Sequence, residues 1–183
     1  MLCIKSITLI LATVSAATLP KRDANTLIQD VSNINQGVLD TTSAVNNFNG
    51  GDLSTSVVEG KPVLAGVAET HNANRKGFVD ALASNLLSES DSERVVQYVT
   101  DTVGVTIPEG IKAIEAKKPQ FTQAGFDPVI IASLELLLSD HDTFSAAVAT
   151  KLYALNATLT GEALAVVAEI HDAIQGGIDY YLL

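Results

Sequence analysis

A spacing of three and four between apolar residues recurs almost without interruption from Leu27 to Tyr181, and it constrains this chain more than any other feature. Leu27, Val31, Ile34, Val38, Thr41, Val45 and Phe48 alternate steps of four and three, which holds them on one face of a helix. Asn49-Gly50-Gly51-Asp52 then stops that helix. The second segment runs through Leu53, Val57, Gly60, Leu64, Val67, His71, Asn74, Phe78 and Ala81, with Pro62 predicted to kink it near its start. Ser90-Asp91-Ser92-Glu93 has the form of a capping box before a third helix carrying Val96, Val99, Val103, Ile111 and Ile114. Pro108 predicts a bend or break near Val105–Pro108.

Lys117-Lys118-Pro119 closes the third helix, and Asp127-Pro128 opens the fourth, with Asp127 as cap and Pro128 in the first helical position. The fourth stripe is Ile131, Leu134, Leu138, His141, Ser145, Val148, Leu152 and Leu155. A turn is expected around Thr158–Gly161, before a fifth helix with Leu164, Val167, His171, Ile174, Ile178 and Tyr181. Five amphipathic helices joined by short turns predict an all-α fold, an antiparallel five-helix bundle forming one domain. The composition agrees. Hydrophobic residues make up 47% but aromatics only 5%, an aliphatic core stock suited to helix on helix and too apolar for a disordered chain.

The first residues read as processing signals. Lys5, the apolar run Ile7 to Val14 and the small residues Ser15-Ala16-Ala17 predict a secretory signal peptide over 1–17, cleaved after Ala17. The dibasic Lys21-Arg22 predicts a short propeptide over 18–22, a second cut after Arg22, and a helical domain over 23–183. Losing Lys5, Lys21 and Arg22 leaves 8 basic residues against 21 acidic ones, a net charge of −13. Such a chain is a poor partner for nucleic acid, which needs clustered cations. The only cysteine, Cys3, leaves with the leader, so neither disulfides nor thiol catalysis are expected. No later run approaches a membrane span and no lipid-anchor tail follows Leu183, so release as a soluble protein is expected. Asn156-Ala157-Thr158 is the single glycosylation sequon.

No G-x-S-x-G, H-E-x-x-H, C-x-x-C or phosphate-loop motif is present, so no enzyme class is indicated and no cofactor is expected. All three histidines, His71, His141 and His171, fall on apolar stripes. Three readings stand side by side: core-edge histidines bonded to neighbours, a zinc site, or polar handles in a ligand cavity. The bundle lacks the inward Glu-x-x-His spacing of helical metal sites, so no metal is assigned. Small residues on these faces, such as Gly60, Gly66, Ala81, Ala146, Ala147, Ala165 and Ala168, suit either a gap between helices or close packing.

The Lys21-Arg22-Asp23 junction, Lys117-Lys118-Pro119-Gln120-Phe121, Gly125-Phe126, Leu134-Glu135-Leu136-Leu137-Leu138 and Phe144-Ser145-Ala146-Ala147 together resemble one fungal family. An Ala-rich last helix ending in tyrosine adds to the likeness. The chain is similar to the hydrophobic surface binding protein A family, also called cell wall galactomannoproteins. The resemblance implies a secreted, non-catalytic five-helix protein with one of two roles. Some members coat hydrophobic surfaces and recruit polymer-degrading enzymes; others hold long-chain fatty acids, arachidonic acid among them, in the bundle, with a part in virulence. The chain lacks a Ser/Thr-rich stalk, which favours release or loose cell-wall association. The expected partner is therefore a long-chain fatty acid or other apolar ligand, lined by Val67, His71, Phe78, Val99, Val103, Leu134, Leu138, Ser145, Val167 and Ile174, with Ser145 as the preferred polar handle.

Overall fold

The computed structural model describes residues 23–183; the expected leader and the cleavage points at Ala17 and Arg22 lie outside the described residues. Among the described residues there are seven helices and no β-strand element: α1 (Ala24–Asn47), α2 (Leu53–Ala83), α3 (Glu89–Asp101), α4 (Val103–Ala116), α5 (Lys118–Gln123), α6 (Asp127–Ala149) and α7 (Ala157–Leu182). Because α5 is a six-residue turn of helix, six helices build the bundle where five were expected. The extra one comes from the third segment, which is broken at Thr102 into α3 and α4.

That break takes up the expected bend or break near Val105–Pro108 but lies upstream of it. Pro108 sits inside α4, and the chain leaves helical geometry further upstream, at Thr102 (φ −119°, ψ −91°), whose hydroxyl bonds back to the Tyr98 carbonyl. A proline disturbs the turn before it, so a helix that restarts five residues ahead of Pro108 meets that disturbance in its first turn. Pro62, by contrast, lies exposed within α2, which continues through it as one helix.

Helix ends follow local capping chemistry, with three shifts from the sequence reading. Asp23 caps α1 by accepting the Asn25 and Thr26 amides, and Asp52 caps α2 through Thr55. The α3 cap is Ser88 rather than Ser90, with its Oγ 3.2 Å from the Asp91 amide. Asp127 is itself helical and accepts from Thr122 Oγ1 instead of capping α6. The last turn lies before Asn156, which caps α7 through the Leu159 amide, so Thr158–Gly161 is already helix.

In cross-section the helices close a ring. α1 packs on α2 and α4, α2 on α6, and α7 completes the circuit against α4 and α6, while α3 extends the α4 position between α1 and α7. One end of the ring is filled by aromatics: Phe48 and Phe121 stack with centroids 4.3 Å apart, and Phe126 lies 6.1 Å from Phe48. Lys117 Nζ donates to the Phe48 carbonyl at 2.8 Å and ties that plug to α4. Gly50 and Gly51, at φ 75° and 126°, turn the chain behind the stack in a backbone region that other residues rarely adopt. No helix among the described residues is long and apolar enough to cross a membrane.

Candidate ligand-binding cavity

The ring does not fill its own centre. Aliphatic side chains from α1 (Val31, Ile34), α3 (Val99), α4 (Ile107, Ile111), α6 (Leu134) and α7 (Ile170, Ile174) point inward around a cavity of about 400 Å³. Short β-branched chains dominate these stripes, and Phe144 is the single aromatic on the wall, so the inward volume falls short of the space enclosed. The volume lies within the ~300–1,000 Å³ typical of small-molecule sites.

The exposed members of the wall all belong to one region. Asp142, Ala146 and Ala149 on α6, Ala154 in the following loop, and Thr160 and Leu164 on α7 reach solvent; every other wall residue is buried or half-buried. The mouth is therefore the seam between the second half of α6 and the start of α7. Small side chains at Ala146 and Ala149 keep the seam open, and Leu164 stands 63% exposed at its rim.

Polar atoms on the wall are few. His141 is buried, with Nε2 3.1 Å from the Val167 carbonyl. A carbonyl only accepts, so Nε2 carries the hydrogen, and burial pushes the ring's pKa below its ordinary 6.5, which keeps it neutral. Nδ1 is then an acceptor, and the Ser145 hydroxyl donates to it across a long 3.4 Å. Asn74 gives one amide hydrogen to the Thr70 carbonyl at 3.0 Å. At the mouth, Asp142 Oδ1 accepts from His171 Nδ1 at 2.9 Å, and that partner raises the His171 pKa above 6.5. Among the described wall residues there is no Lys or Arg.

Of the ten lining residues expected from sequence, the structure brings Val99, Val103, Leu134, Ser145, Val167 and Ile174 together on the cavity wall. Val67, His71, Phe78 and Leu138 lie elsewhere. α2 turns most of its inward face toward α1 and α6, so only its Thr70 and Asn74 reach the cavity. His71 instead bonds the buried Asp140 at 2.6 Å, and Phe78 packs beneath the Arg75 guanidinium at 4.9 Å. On α6 the wall position is taken by Leu137, one step round from Leu138, which packs against the core. The three histidines end on Asp140, the Val167 carbonyl and Asp142 respectively, and no group of His, Cys, Asp or Glu among the described residues is placed to hold a metal ion. Asn156, the sequon residue, sits at the α6–α7 loop with its Nδ2 bonded to Glu89.

Sequence reasoning placed Val31, Ile34 and Asn74 on helical stripes without assigning them to the cavity, and missed Ile107 and Thr70 as wall residues. The α1 stripe carried the signal, since its residues alternate steps of four and three without a break from Leu27 to Phe48.

Comparison with known proteins gives one family and several folds. A family model described as hydrophobic surface binding protein A matches residues 24–150. No curated protein matches the chain. The crystal structure of AFMP4P in complex with palmitic acid superposes with a TM-score of 0.77 at 26% identity, over 87% of this chain and 99% of that one. Ligand binding domain 1 of Penicillium marneffei MP1 protein, complexed with arachidonic acids, gives 0.77 at 21% identity over 87% and 99%. Domain 2 of the same protein, complexed with multiple arachidonic acids, gives 0.76 at 23% over 89% and 98%.

Proposed function

The chain belongs to the hydrophobic surface binding protein A family, and from that premise we propose that it is a non-enzymatic lipid carrier whose central cavity takes up one long-chain fatty acid or similar lipid. The observation that carries this reading is the aliphatic hollow that opens between α6 and α7. Burying about 14 methylenes at roughly 0.8 kcal/mol each would return on the order of 11 kcal/mol gross, enough for micromolar or tighter binding after association costs. The AFMP4P complex with palmitic acid supports the same ligand class.

The proposal includes export. Cleavage after Ala17 and Arg22 would leave Asp23, the α1 cap, as the first residue of a secreted protein, loosely associated with the cell wall and bearing a glycan on Asn156. The wall residues Val99, Val103, Leu134, Val167 and Ile174 would meet the alkyl chain, with Ser145 beside its polar end. Delipidated protein titrated with a fluorescent fatty acid is expected to bind it saturably with defined stoichiometry. Absence of binding, with helical circular dichroism intact, refutes the reading.

A second reading, adsorption to hydrophobic surfaces or the cell wall with recruitment of enzymes there, has its own observation. Leu53, Val57, Val58 and Leu64 are all exposed along the first half of α2. Depletion from solution by hydrophobic beads, unchanged by added fatty acid, would assign that activity to the α2 surface rather than the cavity.

A further inference from the structure

The polar atoms of the cavity wall are strongly biased toward acceptance. Thr41, Thr42 and Thr70 donate their hydroxyl hydrogens one turn back into their own helices, to the carbonyls of Gly37, Val38 and Gly66. Thr160 does the same to the Asn156 carbonyl. Ser145 spends its hydrogen on His141 Nδ1, and His141 spends its own on Val167. In each of these bonds the hydroxyl hydrogen already has a partner, the one from Ser145 at a long 3.4 Å, while lone pairs stay open. The exception is the second amide hydrogen of Asn74.

Charge points the same way. Among the described wall residues the single permanently charged side chain is Asp142, an anion at the mouth. An ionised carboxylate drawn into this space would lose water and find neither a cation nor a set of donors. A hydroxyl would find acceptors throughout. We propose that the cavity selects long-chain lipids whose head is uncharged and donates a hydrogen bond, such as fatty alcohols and fatty acids in their protonated form, over ionised fatty carboxylates. This inference rests on the reading of the cavity as a lipid site and names the head group it accepts.

The titratable groups facing the head are few enough to state. α6 contributes His141 and Asp142, α7 contributes His171, which is turned onto Asp142 with Asp172 beside it, and the stretches of α1 to α4 on the wall contribute none. Burial disfavours the charged form of His141, and the bond to Asp142 favours the charged form of His171.

The test uses delipidated protein loaded with N-phenyl-1-naphthylamine, displaced in turn by dodecan-1-ol, dodecanoic acid and methyl dodecanoate. At about pH 8, where the acid is ionised, the alcohol is expected to bind at least about tenfold more tightly than the acid. At about pH 5 the acid should approach the alcohol, whose own affinity stays unchanged. The methyl ester, equally apolar but unable to donate, should bind more weakly than the alcohol at both values. Asp142→Asn should strengthen binding of the ionised acid several-fold, more than it changes binding of the alcohol. An acid that outcompetes the alcohol at the higher pH, or an ester that equals it, overturns the inference while leaving the lipid cavity standing. A protein that takes up none of the three brings down the cavity reading itself.

Discussion

Two seams of the same ring are built on opposite principles. Where α1 meets α2 the backbones touch: Gly37 faces Thr70 and Gly66 faces Thr41, so a Cβ added to Gly37 would lie 2.6 Å from Thr70 Oγ1, and one on Gly66 would lie 3.0 Å from the Thr41 backbone. The arrangement is reciprocal, because Thr41 bonds back to Gly37 and Thr70 to Gly66, each glycine–threonine pair of one helix interlocking with that of the other. Lys76 on α2 adds a bond to the fully buried Asp30 of α1 and a second to Asp80. Where α6 meets α7, alanines sit opposite Leu164 and Thr160, and the gap admits solvent to the cavity. Small residues therefore clasp one seam and part the other. What differs is whether the facing helix offers a matching notch.

Breaking the clasp should have the largest effect. Gly66→Val forces a branched side chain into the Thr41 backbone and is expected to cost about 3 kcal/mol, read from denaturant midpoints at unchanged slope. Loss of less than about 1 kcal/mol would show that the seam yields. The open seam should tolerate bulk in the fold and pay in binding: Ser145→Phe fills the wall just inside the mouth and should weaken fatty-acid uptake at least about tenfold, or about 1.4 kcal/mol, with helicity retained. A third change tests whether Gly176 of α7 lacks the clasping role. A Cβ on Gly176 meets nothing within 4 Å, so Gly176→Ala should stabilise the protein by about 0.5–1 kcal/mol, the sign opposite to Gly66→Ala.

Acid titration sharpens the contrast at the mouth most finely. His141 has its pKa lowered by burial, so its contribution is present above about 6.5 and is lost as pH falls through the folded value. His171 is raised by Asp142, so its contribution is present below about 6.5 and is lost as pH rises through the folded value. His141→Gln should therefore reduce the loss of thermal stability on acidification, and His171→Gln should deepen it. Identical pH profiles for the two variants would contradict the assigned environments.

The helical faces were legible in the sequence because period alone specifies them: the α1 stripe and its glycine stop stand where the residues put them. Which neighbour each face meets was not legible. His71 and Asn74 share an apolar stripe three residues apart, yet one is spent on Asp140 and the other opens on the cavity. Leu137 and Leu138 differ by one step of rotation, which a stripe drawn at threes and fours does not resolve. The break at Thr102 was hidden behind Pro108, the louder signal for the same strain. Gly66 was ambiguous for the same reason, since closeness and emptiness call for the same residue until the partner is known.

The aromatic stack of Phe48 and Phe121 has a kinetic consequence. With that end stoppered, arrival and departure in the proposed carrier would share the α6–α7 doorway, so an incoming molecule could not push a resident out from behind. Turnover of cargo would then be governed by how long the first tenant stays. A slow-leaving lipid would keep the vessel closed to others at any concentration of competitor.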